Sequence, residues 1–203
     1  MKCEFLKTIF DAGASLAAIV SCFLSYKAIK QTNSIIKQTE KQIELSNKQE
    51  LFDKRIKLFL ALNEFIKCCE LCEKIEIDNK HNEINTKDIL VTLLSNIYLN
   101  DVKNIIVKPK NNELLSKFNE KLIFINNMSV ESSMLFNNEY VKESKIFFDK
   151  YRNFLNELYV NLTLCDKNNQ KKLSKSQDKL YNSYHKIIKN HYLQIMSDEI
   201  RLK

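Results

Sequence analysis

Cys68-Cys69-Glu70-Leu71-Cys72 is the densest group of chemistry-bearing side chains in the sequence. Thiolates at this spacing suggest zinc ligation or a dithiol redox pair. Zinc needs four donors in a tetrahedron, usually with a second ligand pair elsewhere. The other candidates, Cys165 and the histidines His81, His185 and His191, form no pair at metal spacing. A redox pair needs an exposed first cysteine of low pKa, usually at a helix start, whereas this trio follows FLALNEFIK in mid-helix. Small residues of a helical core are the simpler reading, and no metal or cofactor is expected. His185 and His191 do not share a helical face, and HKIIKNH lacks the arginine that a helical ribonuclease sets ahead of its histidine. There is no HExxH and no nucleophile elbow. No catalytic residue is expected, and the chain reads as a non-enzyme.

Composition points the same way. The 203 residues contain one Gly and one Pro. Sheets and nucleotide loops spend glycines at turns and close approaches, so such a chain should be all-α, its helices joined by Asn-, Lys- and Ser-rich connections. A GxGxxG or GxxxxGK[ST] loop cannot be built. The six cysteines show no disulfide framework, and Cys68, Cys69 and Cys72 diverge around one helix; a reducing compartment follows.

The elements that must hold any function begin with DAGASLAAIVSCFLSYKAIK, Asp11 to Lys30. From Phe5 to Tyr26 a helix would rise about 33 Å against a hydrocarbon core of about 30 Å. Asp11 costs up to about 3 kcal/mol there, while Leu, Ile, Phe and Val each return about 0.3–0.6 kcal/mol, so the apolar surplus is small. Gly13, Ala17, Ser21 and Ser25 recur every fourth residue, a small-residue stripe that lets helices approach in lipid. Steps of four and three then continue through Ile29, Thr32, Ile36, Thr39, Ile43 and Ser46, a short heptad seam. Asp11 itself reads as an interfacial residue near the start of the span, with a polar path through an oligomer as the alternative. Residues 1–27 are therefore expected to be a transmembrane anchor, 28–50 a coiled-coil stalk and 51–203 an antiparallel helical bundle. Two other readings of the first segment stand beside the span: Ala18-Ile19-Val20-Ser21-Cys22 has the look of a lipobox, and a soluble bundle could bury the helix. Lys27, Lys30, Lys37 and Lys41 follow the span, which by the positive-inside rule leaves the body in the cytoplasm of an inner-membrane, single-pass protein.

Beyond Lys27 the helical pattern runs unbroken to about Lys74. Further helices are expected from Thr86 to Tyr98, in a turn or two over Asn100–Val107, from Glu113 to Asn126, from about Asn138 to Cys165, and from Lys172 to Ile200. In the last helix Tyr181, Tyr184, Ile188, Tyr192 and Ile195 are expected to share the apolar face. Lys172, Lys175, Lys179, Lys186 and Lys189 gather opposite. The formal net charge of +7 lies almost entirely in Lys167–Lys203, where nine Lys and Arg are opposed only by Asp178, Asp198 and Glu199. A basic face of this kind is solvated or rests on an anionic leaflet. Nucleic acid is not an expected partner, since no base-stacking platform or reading motif accompanies the lysines.

KQELFDKRIKLF, after a glutamine-rich coiled stretch, and SSMLFNNEYVKESKIFFDKY further along resemble a loose group of uncharacterised bacterial single-pass membrane proteins. These run from an N-terminal span through a coiled segment into an LFDKR-type motif and a helical body. The resemblance implies a bacterial membrane protein, in a group that includes phage-defence and mobile-element settings, and brings no catalytic residues. The expected function is a membrane-anchored, self-associating interaction or sensor module. Its partners would be lipid, its own copies and a protein of unknown identity. The alternative is a small oligomeric effector that permeates the bilayer.

Overall fold

The structure is a computed structural model that describes residues 2–78, 86–136, 139–164 and 167–201, with side chains for 13, 15–77, 86–136, 142–164 and 170–201. The described residues are helical, with no strand among them. In chain order the helices are α1 (Lys2–Asp78), α2 (Thr86–Leu93), a 3-10 helix (Asn100–Ile106), α3 (Asn112–Leu135), α4 (Glu139–Leu164), α5 (Lys167–Lys189) and α6 (Tyr192–Arg201). The chain divides into two compact units, residues 1–50 and 51–203.

The first unit consists of the N-terminal part of α1. No glycine or proline interrupts α1 after Gly13, so nothing in it breaks the backbone ladder.

The second unit is a bundle. Ser129 of α3 donates to Asp149 of α4 (2.8 Å), and one turn on Arg152 donates to Asn126, which sets the two helices antiparallel. Lys186 of α5 pairs with Glu143 of α4, and His185 and Tyr181 of α5 meet Glu73 and Glu76 of α1. Helix α5 is thus antiparallel to both neighbours. On the core side of α1, Leu58, Leu62, Phe65, Cys69 and Cys72 are buried at helical spacing. Phe65 stacks on Tyr151 of α4 with ring centroids 4.6 Å apart and meets Phe148 edge-on. Such pairs add about 0.5–1.5 kcal/mol each beyond the area they bury.

Helix α3 starts where Asn111 accepts from the Leu114 backbone N–H (3.0 Å), a side-chain N-cap. It runs on to Leu135, well past the expected Asn126. Ser129 and Ser132, beyond the expected end of the helix, are buried: Ser132 donates to the Ser129 carbonyl (2.8 Å) and Ser129 to α4. Its last carbonyl-bearing residue, Leu135, accepts from Arg55 Nε (2.9 Å), and the guanidinium lies 5.5 Å from the Phe136 ring centre. The LFDKR and SSMLF stretches therefore touch.

The expected helix over Thr86–Tyr98 stops at Leu93. Asn96, buried, accepts from the Tyr98 and Leu99 N–H groups (3.0 and 3.1 Å) and donates to the Leu93 carbonyl (2.9 Å), replacing helix with a closed turn. Tyr151 Oη also donates to that carbonyl (2.6 Å).

The expected single helix over Lys172–Ile200 is two helices. His191 has φ 54°, in the left-handed region, and the ladder breaks there. The buried face of α5 is Leu180, Ser183, Tyr184 and Ile187, with Met196 and Ile200 on α6; Ile188 and Ile195 are 44% and 43% exposed. Of the expected apolar face, Tyr184 is buried and Tyr181 and Tyr192 pack against the core, so the face holds in part and Ile188 and Ile195 lie at its edge.

Candidate functional site

In the first unit every described residue is exposed. Leu16, Ile19, Val20, Phe23 and Leu24 are 54–66% exposed, and Ile29, Ile36 and Ile43 are 50–60% exposed. Of the seam expected from the sequence, Gly13, Ala17, Ser21, Ser25, Ile29, Ile36 and Ile43 all present outward. The helical backbone includes Asp11, but its side chain lies outside the described residues, as do those of Phe5–Ala12 at the start of the expected span. Among the described residues no helix is long and apolar enough to cross a membrane. Lys27 and Lys30 follow too soon after Leu24 for the remaining stretch to reach span length.

Two local features make this surface more apolar than its letters suggest. Thr32 and Thr39 donate their hydroxyls to the Ala28 and Ile35 carbonyls (2.9 Å each). That closes the polar atom on the helix's own backbone. Among the described residues a Cβ added at Gly13 would meet nothing within 4 Å, so none of them requires glycine there.

The five lysines of the expected basic face separate. Lys172, Lys175 and Lys179 line one groove with residues of α4, whereas Lys186 is turned to Glu143 and Lys189 stands in the last turn of α5. The sign pattern of α5 gave the first three; Glu143, forty-three residues away, could not be read as a partner of Lys186.

Cys68, Cys69 and Cys72 are buried in the core, and burial pushes all three thiols up from their ordinary range. No group of side chains able to hold a metal ion occurs among the described residues. Cys3, His81 and Cys165 fall outside the described side chains.

One polar pocket went unforeseen. Glu76 accepts from Tyr181 Oη (2.9 Å) and from Gln177, at the edge of a cavity of about 420 Å³ that Asn161, Thr86 and Gln170 also line. Burial raises its carboxyl above the ordinary carboxylate range; the Tyr181 hydroxyl opposes that rise and the Glu73 carboxylate adds to it. On the next turn Glu73 meets His185 (2.8 Å). A single carboxylate among amides can hold a polar group but gives the pocket no acid–base pair. The glutamates of α1 carried no signal in the sequence because their partners lie over a hundred residues away.

No protein-family model, no curated protein and no solved structure matches the chain.

Proposed function

We propose that the chain is a membrane-attached, self-associating helical interaction module. Residues 1–50 gather copies at a bacterial inner membrane, and the cytoplasmic bundle of residues 51–203 engages a protein partner. The observation that supports this reading is that every described residue of the first unit is exposed, large apolar side chains among them. An isolated helix draws little stability from propensity, and most helical stability comes from packing an apolar face. Exposed apolar area costs about 25 cal/mol per Å² left in water. Lipid around Leu16–Leu24 and further copies along Ile29, Ile36 and Ile43 would remove that area, with the Thr32 and Thr39 methyl groups free to join the contact. A span with as little apolar surplus as Phe5–Tyr26, burdened by Asp11, would be held by association as much as by lipid.

The test is fractionation of the tagged full chain and of a chain lacking residues 1–27, with cross-linking of the membrane fraction. The full chain should pellet with membranes, resist carbonate and cross-link as a ladder, and Ile36→Asp should collapse the ladder to monomer. A soluble, monomeric full chain would sink both the attachment and the association.

A further inference from the structure

Four lysines converge on a groove between α4 and α5 that encloses about 280 Å³: Lys150 from α4, and Lys172, Lys175 and Lys179 from α5. Asn153 and Asn156 add amide groups to the α4 wall and Ser176 a hydroxyl to the α5 wall. Glu157 is the one carboxylate among the lining residues.

Several lysines elsewhere on the surface are held by carboxylates. Lys48, Lys67, Lys74, Lys117, Lys121 and Lys186 each lie against a carboxylate. Among the described residues, Lys150, Lys172, Lys175 and Lys179 have no such partner. Like charges drawn together on two antiparallel helices repel, and the repulsion is relieved by an anion held between them. From Lys172 to Lys179 the helix advances about 10 Å. A single phosphate is too small to reach all four ammonium groups, whereas a ligand with phosphate oxygens spread along the groove can do so. The lining holds no aromatic ring, so a nucleobase would find nothing to stack on.

We infer that the α4–α5 groove is a binding site for a ligand carrying two or more phosphate groups, gripped by Lys150, Lys172, Lys175 and Lys179 and oriented by Asn153, Asn156 and Ser176. Ammonium-to-phosphate hydrogen bonds are charge-assisted and short, and the amides supply donors between the charges. Both a free polyphosphate and clustered anionic lipid headgroups present this chemistry.

The experiment is lysine acetylation of the purified full chain, read by mass spectrometry, with inorganic tripolyphosphate as the probe. Tripolyphosphate should shield Lys150, Lys172, Lys175 and Lys179 while Lys37, Lys41 and Lys108 continue to react. Lys175→Gln and Lys179→Gln should each weaken its binding about tenfold or more, the share of one charge-assisted hydrogen bond. Both positions are exposed, so unchanged circular dichroism is expected of the variants, and the footprint on the parent chain decides the matter even without them. Vesicles of phosphatidylglycerol, against phosphatidylcholine, separate the two sources. Shielding by the anionic vesicle alone assigns the site to headgroups, and shielding by both probes with mutual competition assigns it to phosphate clusters generally. Uniform shielding of every lysine, or none, overturns the inference. So does shielding by a single-stranded oligonucleotide that tripolyphosphate fails to displace. The tripolyphosphate arm requires no membrane, so its failure leaves the attachment proposed above untouched.

Discussion

Arg55 offers the sharpest check on how the bundle closes. Its Nε–H reaches the Leu135 carbonyl at the end of α3, and its guanidinium lies over Phe136, which is buried. The last carbonyls of a helix lack partners within it and carry the negative end of its dipole, so a cation there is doubly placed. A hydrogen bond to a charged group contributes about 1.5–3 kcal/mol, and a cation–π contact at a partly exposed site about 0.5–1 kcal/mol. Arg55 is half-buried, which selects the lower part of both ranges. Arg55→Met, which keeps the apolar stem, should cost about 2 kcal/mol. Arg55→Lys keeps the charge but loses the planar stack, and should cost about 1 kcal/mol. In urea unfolding followed by circular dichroism, a slope of about 2 kcal/mol per molar turns the first figure into a midpoint lowered by about 1 M. Pairing Arg55→Met with Phe136→Leu should recover a coupling of about 0.5–1 kcal/mol. Exposed Lys57 serves as the control. An Arg55→Met midpoint within the scatter of the parent, or an equal loss in Lys57→Met, would refute the capping argument.

Other outcomes follow from the same structure. Tyr151→Phe removes one donor from the Leu93 carbonyl but leaves Asn96 in place, and should cost about 1 kcal/mol in the same assay. Asn96→Ala removes the side-chain acceptor of the Tyr98 N–H, while the Leu99 N–H keeps the Asn96 backbone carbonyl, and should cost about 1–3 kcal/mol. The Ser183 hydroxyl is buried without a hydrogen-bond partner, so Ser183→Ala should stabilise the bundle by about 1 kcal/mol. Glu76 has a raised carboxyl pKa in the folded state, so its contribution is fully present below the ordinary carboxylate pKa and is lost as pH rises through the raised value. Glu76→Gln should therefore raise the thermal midpoint at pH 7 and leave it unchanged at pH 4; equal shifts at both would contradict the burial argument. Gly13→Ala should raise the monomer's helicity by the usual glycine-to-alanine increment of about 1 kcal/mol. Gly13→Leu should weaken cross-linking if helices approach one another there.

Much of the secondary structure was legible because its determinants are local. One glycine and one proline exclude a sheet-rich fold, and the helix expected from Glu113 starts one residue earlier, at Asn112. What escaped depended on distant partners. Ser129 and Ser132 look like breakers until Asp149 and the Lys145 carbonyl come alongside, and only then does α3 extend to Leu135. Asn190-His191 carries no glycine to announce the break between α5 and α6. The lysines of α5 showed their common side, but Lys150 belongs to α4, and only the antiparallel register brings it opposite Lys179. Glu76 was one glutamate among many until Tyr181 and Gln177 enclosed it.

The placement of the thiols has a practical consequence for measuring how often the core opens. Only a thiolate reacts with an alkylating reagent, and Cys68, Cys69 and Cys72 are both inaccessible and held in the thiol form, whereas Cys22 is exposed. In native buffer Cys22 should label at once and so calibrate the reagent. The trio should label only during the brief intervals when α1 separates from α2 and α4, at a rate slowed by the fraction of time spent open. For a domain of ordinary stability that fraction is about 10⁻³ to 10⁻⁶. With all three on adjacent turns of one helix, they should react together if α1 leaves as a unit and in sequence if it frays from Asp78 inward. Peptide-resolved labelling kinetics would thus report the size of the opening unit without any denaturant.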